Sequence, residues 1–212
     1  MTDDPMELLN EVVPALFNGA MEDLRADADG GDAGAKERLE EALANQMAIR
    51  VVLEGEGGGS VYIVSKDGKT VAQEDEPDID VMVALAMPFE AIEIALEEMG
   101  DQLEAALPRI RRRISKTSSK KGMEFMPDEP LRFHSVLKDT PDFEEVRTKI
   151  TIGAGDITED PTFTVTMDYP TFEDMRAGKV KPQAMMNKVQ MTGDTARAMQ
   201  LGMEMAQRMG NK

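Results

Sequence analysis

Residues 163–201 read FTVTMDYPTFEDMRAGKVKPQAMMNKVQMTGDTARAMQL. The opening residues alternate: Phe163, Val165 and Met167 fall on one face of a strand, and Thr162, Thr164 and Thr166 on the other. The period then changes. TFEDMRAGKV predicts a short helix that stops at Gly178, because glycine readily takes the left-handed conformation that ends a helix. NKVQMTG predicts a last strand, and Asp194 stands where an N-cap would open a final helix to about Met209. Strands followed by helices, without regular alternation of the two, point to an α+β fold.

The same pattern recurs upstream. EPDIDVMVALAMPFEAIEIAL (76–96) aligns with DPTFTVTMDYPTFEDMRAGKV (160–180). Each shows an acid, a proline, an alternating strand, a second proline and a Phe-Glu pair opening a helix; Phe89-Glu90 corresponds to Phe172-Glu173 after one gap. This suggests a duplication, and hence a tandem or pseudo-dimeric pair of units. Both copies have strands before them. AIRVVLEG (48–55), the turn GEGGGS and SVYIVSKDGKTVAQ (60–73) predict three strands, the last two about an Asp67-Gly68 hairpin. Ile79, Val81, Val83 and Leu85 predict a fourth, followed by a helix over 88–107 with proline at its start. LRFHSVLKD (131–139) and EEVRTKITIG (144–153) predict a strand pair. At the N-terminal end, Met6, Leu9, Val13, Leu16, Ala20 and Leu24 recur at helical spacing, as do Leu39, Leu43 and Met47, with DADGGDAG as a loop between. The expected division is 1–107, a basic linker over 108–127, and 128–212.

Composition excludes several kinds of chemistry. The 212 residues carry 41 acidic and 24 basic side chains, a net charge of −17. Such a surface argues against specific nucleic-acid binding, which requires phosphates to be neutralised. With no cysteine there are no disulfides, thiolate nucleophiles or iron–sulfur ligands. A single histidine, His134, excludes a multi-histidine metal site within one chain. No run of about 18 apolar residues predicts a membrane span. The acidic start MTDDPMELLNEV does not fit a secretory signal, so a cytoplasmic protein is expected. Methionine is abundant, at 18 residues, and tryptophan is absent.

The charge is divided. Residues 1–108 hold 26 acids and 6 bases, and residues 109–212 hold 15 and 18. The switch falls at Arg109, Arg111, Arg112, Arg113, Lys116, Lys120 and Lys121. This run either lies against the acidic first half or is solvated. Peripheral contact with an anionic membrane surface is the most that it would otherwise support.

The stretch from residue 160 to 205 resembles the sterol carrier protein type-two family. The resemblance rests on the alternating strand, Gly178-Lys179, Pro182 and Ala184, the short strand Val189 to Met191, and Gly193-Asp194 before the closing helix. Asn187 departs from the glycine that the family commonly has before lysine. The resemblance implies a twisted, mostly antiparallel sheet covered by helices, with an apolar tunnel for sterols, fatty acids, acyl-CoA or other lipids. It also implies no catalytic role of its own and no cofactor.

The residues support an apolar cavity independently. On the last helix Arg197, Gln200, Glu204, Gln207 and Arg208 form one narrow polar stripe, and Ala198, Met199, Leu201, Met203, Met205, Ala206 and Met209 take the rest. Methionine adapts to guests of varied shape. The expected lining is Phe163, Val165, Met167, Phe172, Met175, Met185, Met186, Val189, Met191, Met199 and Met203. The alternative is an interaction module that buries the same helix face against a partner, such as a second copy in a homodimer.

Other motifs have structural readings. Gly55, Gly57, Gly58 and Gly59 lack the Lys-Ser/Thr and helix of a phosphate loop. His134, in a predicted strand with Leu131, Phe133 and Val136, reads as a structural histidine. Glu74, Asp75, Glu76, Asp78 and Asp80 lack a calcium-loop pattern and read as a solvated turn. Arg176, Lys179 and Lys181 flank the expected tunnel and read as solvent-facing, with an acyl or phosphate head as the alternative partner.

Overall fold

Asp4 accepts hydrogen bonds from the N–H groups of Met6 and Glu7 and so opens the first helix, α1 (Pro5–Glu7). In this computed structural model, which describes residues 2–117, 127, 129–177, 179, 188–200 and 203, the helix widens to a π-turn over Leu8–Val12. The widening falls just before Pro14, which has no N–H to donate and whose ring crowds the preceding turn. Beyond it α2 (Val13–Asp29) continues, and after a three-residue turn α3 (Ala33–Ala44) folds back, capped by Asp32. Leu24, Ala28 and Ala35 form the buried seam, with Met21, Leu39 and Ala42 against it.

The chain then forms one eight-stranded sheet. Its strands are β1 (Met47–Glu54), β2 (Gly59–Lys66), β3 (Lys69–Gln73), β4 (Val81–Pro88), β5 (Leu131–Lys138), β6 (Glu145–Ile152), β7 (Phe163–Asp168) and β8 (Gln190–Gly193), in the order β3-β2-β1-β4-β6-β5-β7-β8. Among the described residues only β1·β4 and β5·β7 are parallel; the other five pairings are antiparallel. The β2–β3 turn is Asp67-Gly68, both with positive φ (52° and 69°), as a two-residue hairpin requires. β1, β2 and β4 pair in the same pattern as β5, β6 and β7, and the two sets are joined edge to edge by β4 and β6. The fold is thus α+β, and the sheet runs unbroken across both halves.

Each strand helix begins where a strand ends in proline or aspartate. α4 (Phe89–Ser115) follows Pro88, and α5 (Tyr169–Arg176) follows Asp168, whose side chain accepts from the N–H of Thr171. α4 corrects one expectation. It passes Leu107 and contains Pro108, so Arg109 to Arg113 are helical and do not begin a linker. Ile110 and Ile114, one turn apart, keep an apolar stripe going through the arginines. The basic turns lie against the acidic half: Arg111 pairs with Asp23 at 2.7 Å and Arg112 with Asp27 at 2.7 Å. The expected loop at 27–34 also shrinks, because α2 reaches Asp29 and α3 starts at Ala33. The fourth strand starts at Val81, and Ile79 instead packs with Val81 against Ala48, Tyr62 and Val64.

Candidate functional site

The residues singled out near the C-terminal end fall into three groups. The first is packed core. Phe163 is 1% exposed, and its ring stacks on Phe133 with centroids 5.2 Å apart. Leu131 and Ala198 complete this cluster, with Ile152, Val165 and Met191 packed against it. The register explains the grouping, since Phe133 faces Phe163 across β5·β7 and Val165 faces Met191 across β7·β8. The second group is half-buried: Met167, Met175 and Val189. The third is exposed: Phe172 at 36%, Met199 at 52% and Met203 at 56%. Phe172 lies in a tilted pair with Tyr169, at 6.4 Å. Met185, Met186 and Lys181 lie outside the described residues, as does Gly178 with the expected helix stop.

The polar groups around this region are engaged. Asp194 caps the closing helix, accepting from the N–H of Arg197 at 3.0 Å. That helix covers 195–200 and includes residue 203 among the described residues. Hydrogen bonds from Thr171 hold the Asp168 carboxyl below the usual carboxylate range. Arg176 pairs with Glu173 at 2.8 Å and Lys179 with Asp174 at 3.2 Å, so these two of the three expected head-group cations each have a carboxylate neighbour.

The other sheet face carries a polar cluster around the buried Lys149 and His134. Lys149 donates to Glu54 at 2.8 Å and to Glu159 at 2.5 Å. These carboxylates, Glu159 foremost, raise the lysine above its ordinary pKa, and the lysine lowers that of Glu159. His134 is 2% exposed, 3.0 Å through Nε2 from the carbonyl of Thr158. A carbonyl only accepts, so Nε2 carries the hydrogen; the buried Nδ1 has no hydrogen-bond partner among the described residues. Gly55 and Gly57, both with positive φ, lie in the turn between β1 and β2. Glu74, Asp75, Glu76, Asp78 and Asp80 are exposed, and among the described residues no group of acids or histidine gathers as a metal site.

A cavity that sequence reasoning missed lies at the far end of the molecule. It has a volume of about 420 Å³ and sits between α2, α3, the last turns of α4 and the β2–β3 hairpin. Its walls come from segments that are distant in the chain, so no local pattern reveals it. The one available signal was the Ile110/Ile114 pair within the basic run, which shows that one side of that run faces inward.

Residues 137–205 match the model of the SCP-2 sterol transfer family. The match starts in β5 and ends at residue 205, so the resemblance holds for this segment and extends upstream of residue 160. No curated protein matches the chain, and no solved structure does. Among the described residues no helix is long and apolar enough to cross a membrane.

Proposed function

We propose that this chain binds an apolar ligand, a sterol, fatty acid, acyl-CoA or other lipid, at the sheet face beside its closing helix. Its role is to shelter the guest from water rather than to transform it. The observation that carries this reading is the pair Met199 and Met203. They lie one helical turn apart, inside the segment matched to the sterol transfer family, and more than half of each is exposed. Ala198, about 100° round the helix from Met199, is buried against the Phe163 cluster and fixes the helix to the sheet. Two flexible thioethers are thereby left exposed on a helix whose Ala198 packs with half-buried Val165, on the β7 face that by alternation also carries Met167. Each ligand methylene moved there from water contributes about 0.8 kcal/mol. The driving force is loss of apolar hydration, which needs no directed polar group.

The same exposed pair also suits a protein interface, and one experiment separates the two readings. Met199→Glu with Met203→Glu should abolish binding of a fluorescent sterol probe, and its displacement by fatty acid, while the far-UV spectrum is kept. Unchanged probe affinity contradicts the placement. A wild-type dimer that the double variant turns into a monomer, with no probe bound by either, supports the interaction module instead.

A further inference from the structure

The cavity under the β2–β3 hairpin lies outside the family-matched segment, since none of its lining residues falls within 137–205. Its volume of about 420 Å³ falls within the range of small-ligand pockets, about 300–1,000 Å³. Phe17, Met21, Leu24, Met47, Ile110 and Ile114 form its apolar wall. Gly68 brings the hairpin tip close over it: a Cβ there would stand 2.7 Å from Leu43 Cδ2 and 3.1 Å from Met21 Cε.

The charge of the lining is the opposite of its surroundings. Residues 1–108 carry 26 acids, yet the lining holds no Asp or Glu and two cations, Lys69 and Arg113. Arg113 also differs from its neighbours. Arg111 and Arg112 are each bound to an α2 aspartate, whereas Lys69 and Arg113 have no ion-pair partner among the described residues. Both are exposed, so each can meet a ligand without breaking an existing pair.

An apolar hollow with unpaired cations in its lining suits a guest with one oily chain and one negative end. We propose that this cavity is a second ligand site, which takes a single-chain aliphatic carboxylate with its tail against the Phe17–Ile114 wall and its head between Lys69 and Arg113. It shares no residue with the site proposed beside the closing helix, so each stands or falls separately.

The test uses the full chain labelled with ¹³C at its methionine methyls, titrated with dodecanoate and, in parallel, with dodecanol. Dodecanoate should shift Met21 and Met47 saturably. Replacing Lys69→Glu and Arg113→Glu should weaken dodecanoate at these methyls by about tenfold or more, as expected for losing charge-assisted contacts. Dodecanol should bind both proteins alike. The Met199→Glu/Met203→Glu protein should show the same shifts at Met21 and Met47. The proposal is overturned if these two methyls do not move at saturation, or if the charge reversals leave dodecanoate affinity unchanged. Shifts confined to Met199 and Met203 would overturn it too, while leaving the closing-helix site standing.

Discussion

Arg111 reaches over α2 to hold Asp23 in two hydrogen bonds, Nε to Oδ2 at 2.8 Å and Nη2 to Oδ1 at 2.7 Å. Gly19 opens that path, since a Cβ at this position would lie 2.6 Å from the guanidinium. The contact shows why so uneven a charge distribution is tolerated. The acidic helix and the basic turn are each other's counterions, and what looked like a linker in the sequence is a clamp.

Replacing Asp23→Asn keeps the shape and removes the anion. The pair is partly exposed, so urea unfolding at neutral pH should show only a small loss of stability. That loss should shrink as the pH falls, because acid removes the same charge from the wild-type protein.

Asp23, Asp156, Asp168 and Glu159 are all held below the usual carboxylate range, by Arg111, Arg132, Thr171 and Lys149 in turn. When folded they bind protons less readily than when unfolded. Their contribution is therefore complete above the unfolded carboxylate range and is lost as pH falls through the lowered values. The urea midpoint should be flat from neutrality to about pH 5 and fall below about pH 4. A midpoint that rises on acidification contradicts these pairings. Lys149 is raised and works in the opposite sense, its contribution being lost only as pH climbs beyond the ordinary lysine range, above about 10.4.

Asn18 holds the edge strand β3. Its Nδ2 donates to the Thr70 carbonyl and its Oδ1 accepts from the Thr70 N–H, both at 2.8 Å. Thr70 is buried, so Asn18→Ala leaves two backbone groups unpaired, at about 1–3 kcal/mol in total. Denaturant unfolding measures this, and Asn18→Asp, which keeps the acceptor and loses the donor, should fall between.

Lys149 is buried, whereas its partners Glu54 and Glu159 can rehydrate, at 41% and 79% side-chain exposure. Lys149→Met keeps the aliphatic stem, so stability should change by less than about 1 kcal/mol. Lys149→Ala leaves a hole under β5 and β6 and should cost about 2–3 kcal/mol. Equal losses for the two variants would mean that charge, not packing, sets the role of this residue.

Strands were legible wherever the alternation was clean, as in Phe163, Val165 and Met167, or where the turn demanded positive φ, as at Asp67-Gly68. The end of α4 was not legible, because Pro108 and four arginines mask an inward stripe carried by Ile110 and Ile114 alone. At the C-terminal site the sequence grouped residues by type, whereas the fold separates them by burial. Phe163 is stacked core, while Met199 and Met203, in the same set, stand in solvent. The cavity under the β2–β3 hairpin lay beyond local reading, since tertiary packing alone brings Phe17, Met47 and Ile114 to one space.

Mass spectrometry of an organic extract from the natively purified protein bears most directly on whether this chain carries lipid. One or more lipids should be recovered in near-stoichiometric amount, and the neutral lipids among them should be lost from the Met199→Glu/Met203→Glu protein. Extracts that repeatedly contain no lipid, from a protein that also binds no fatty-acid or sterol probe, would contradict it.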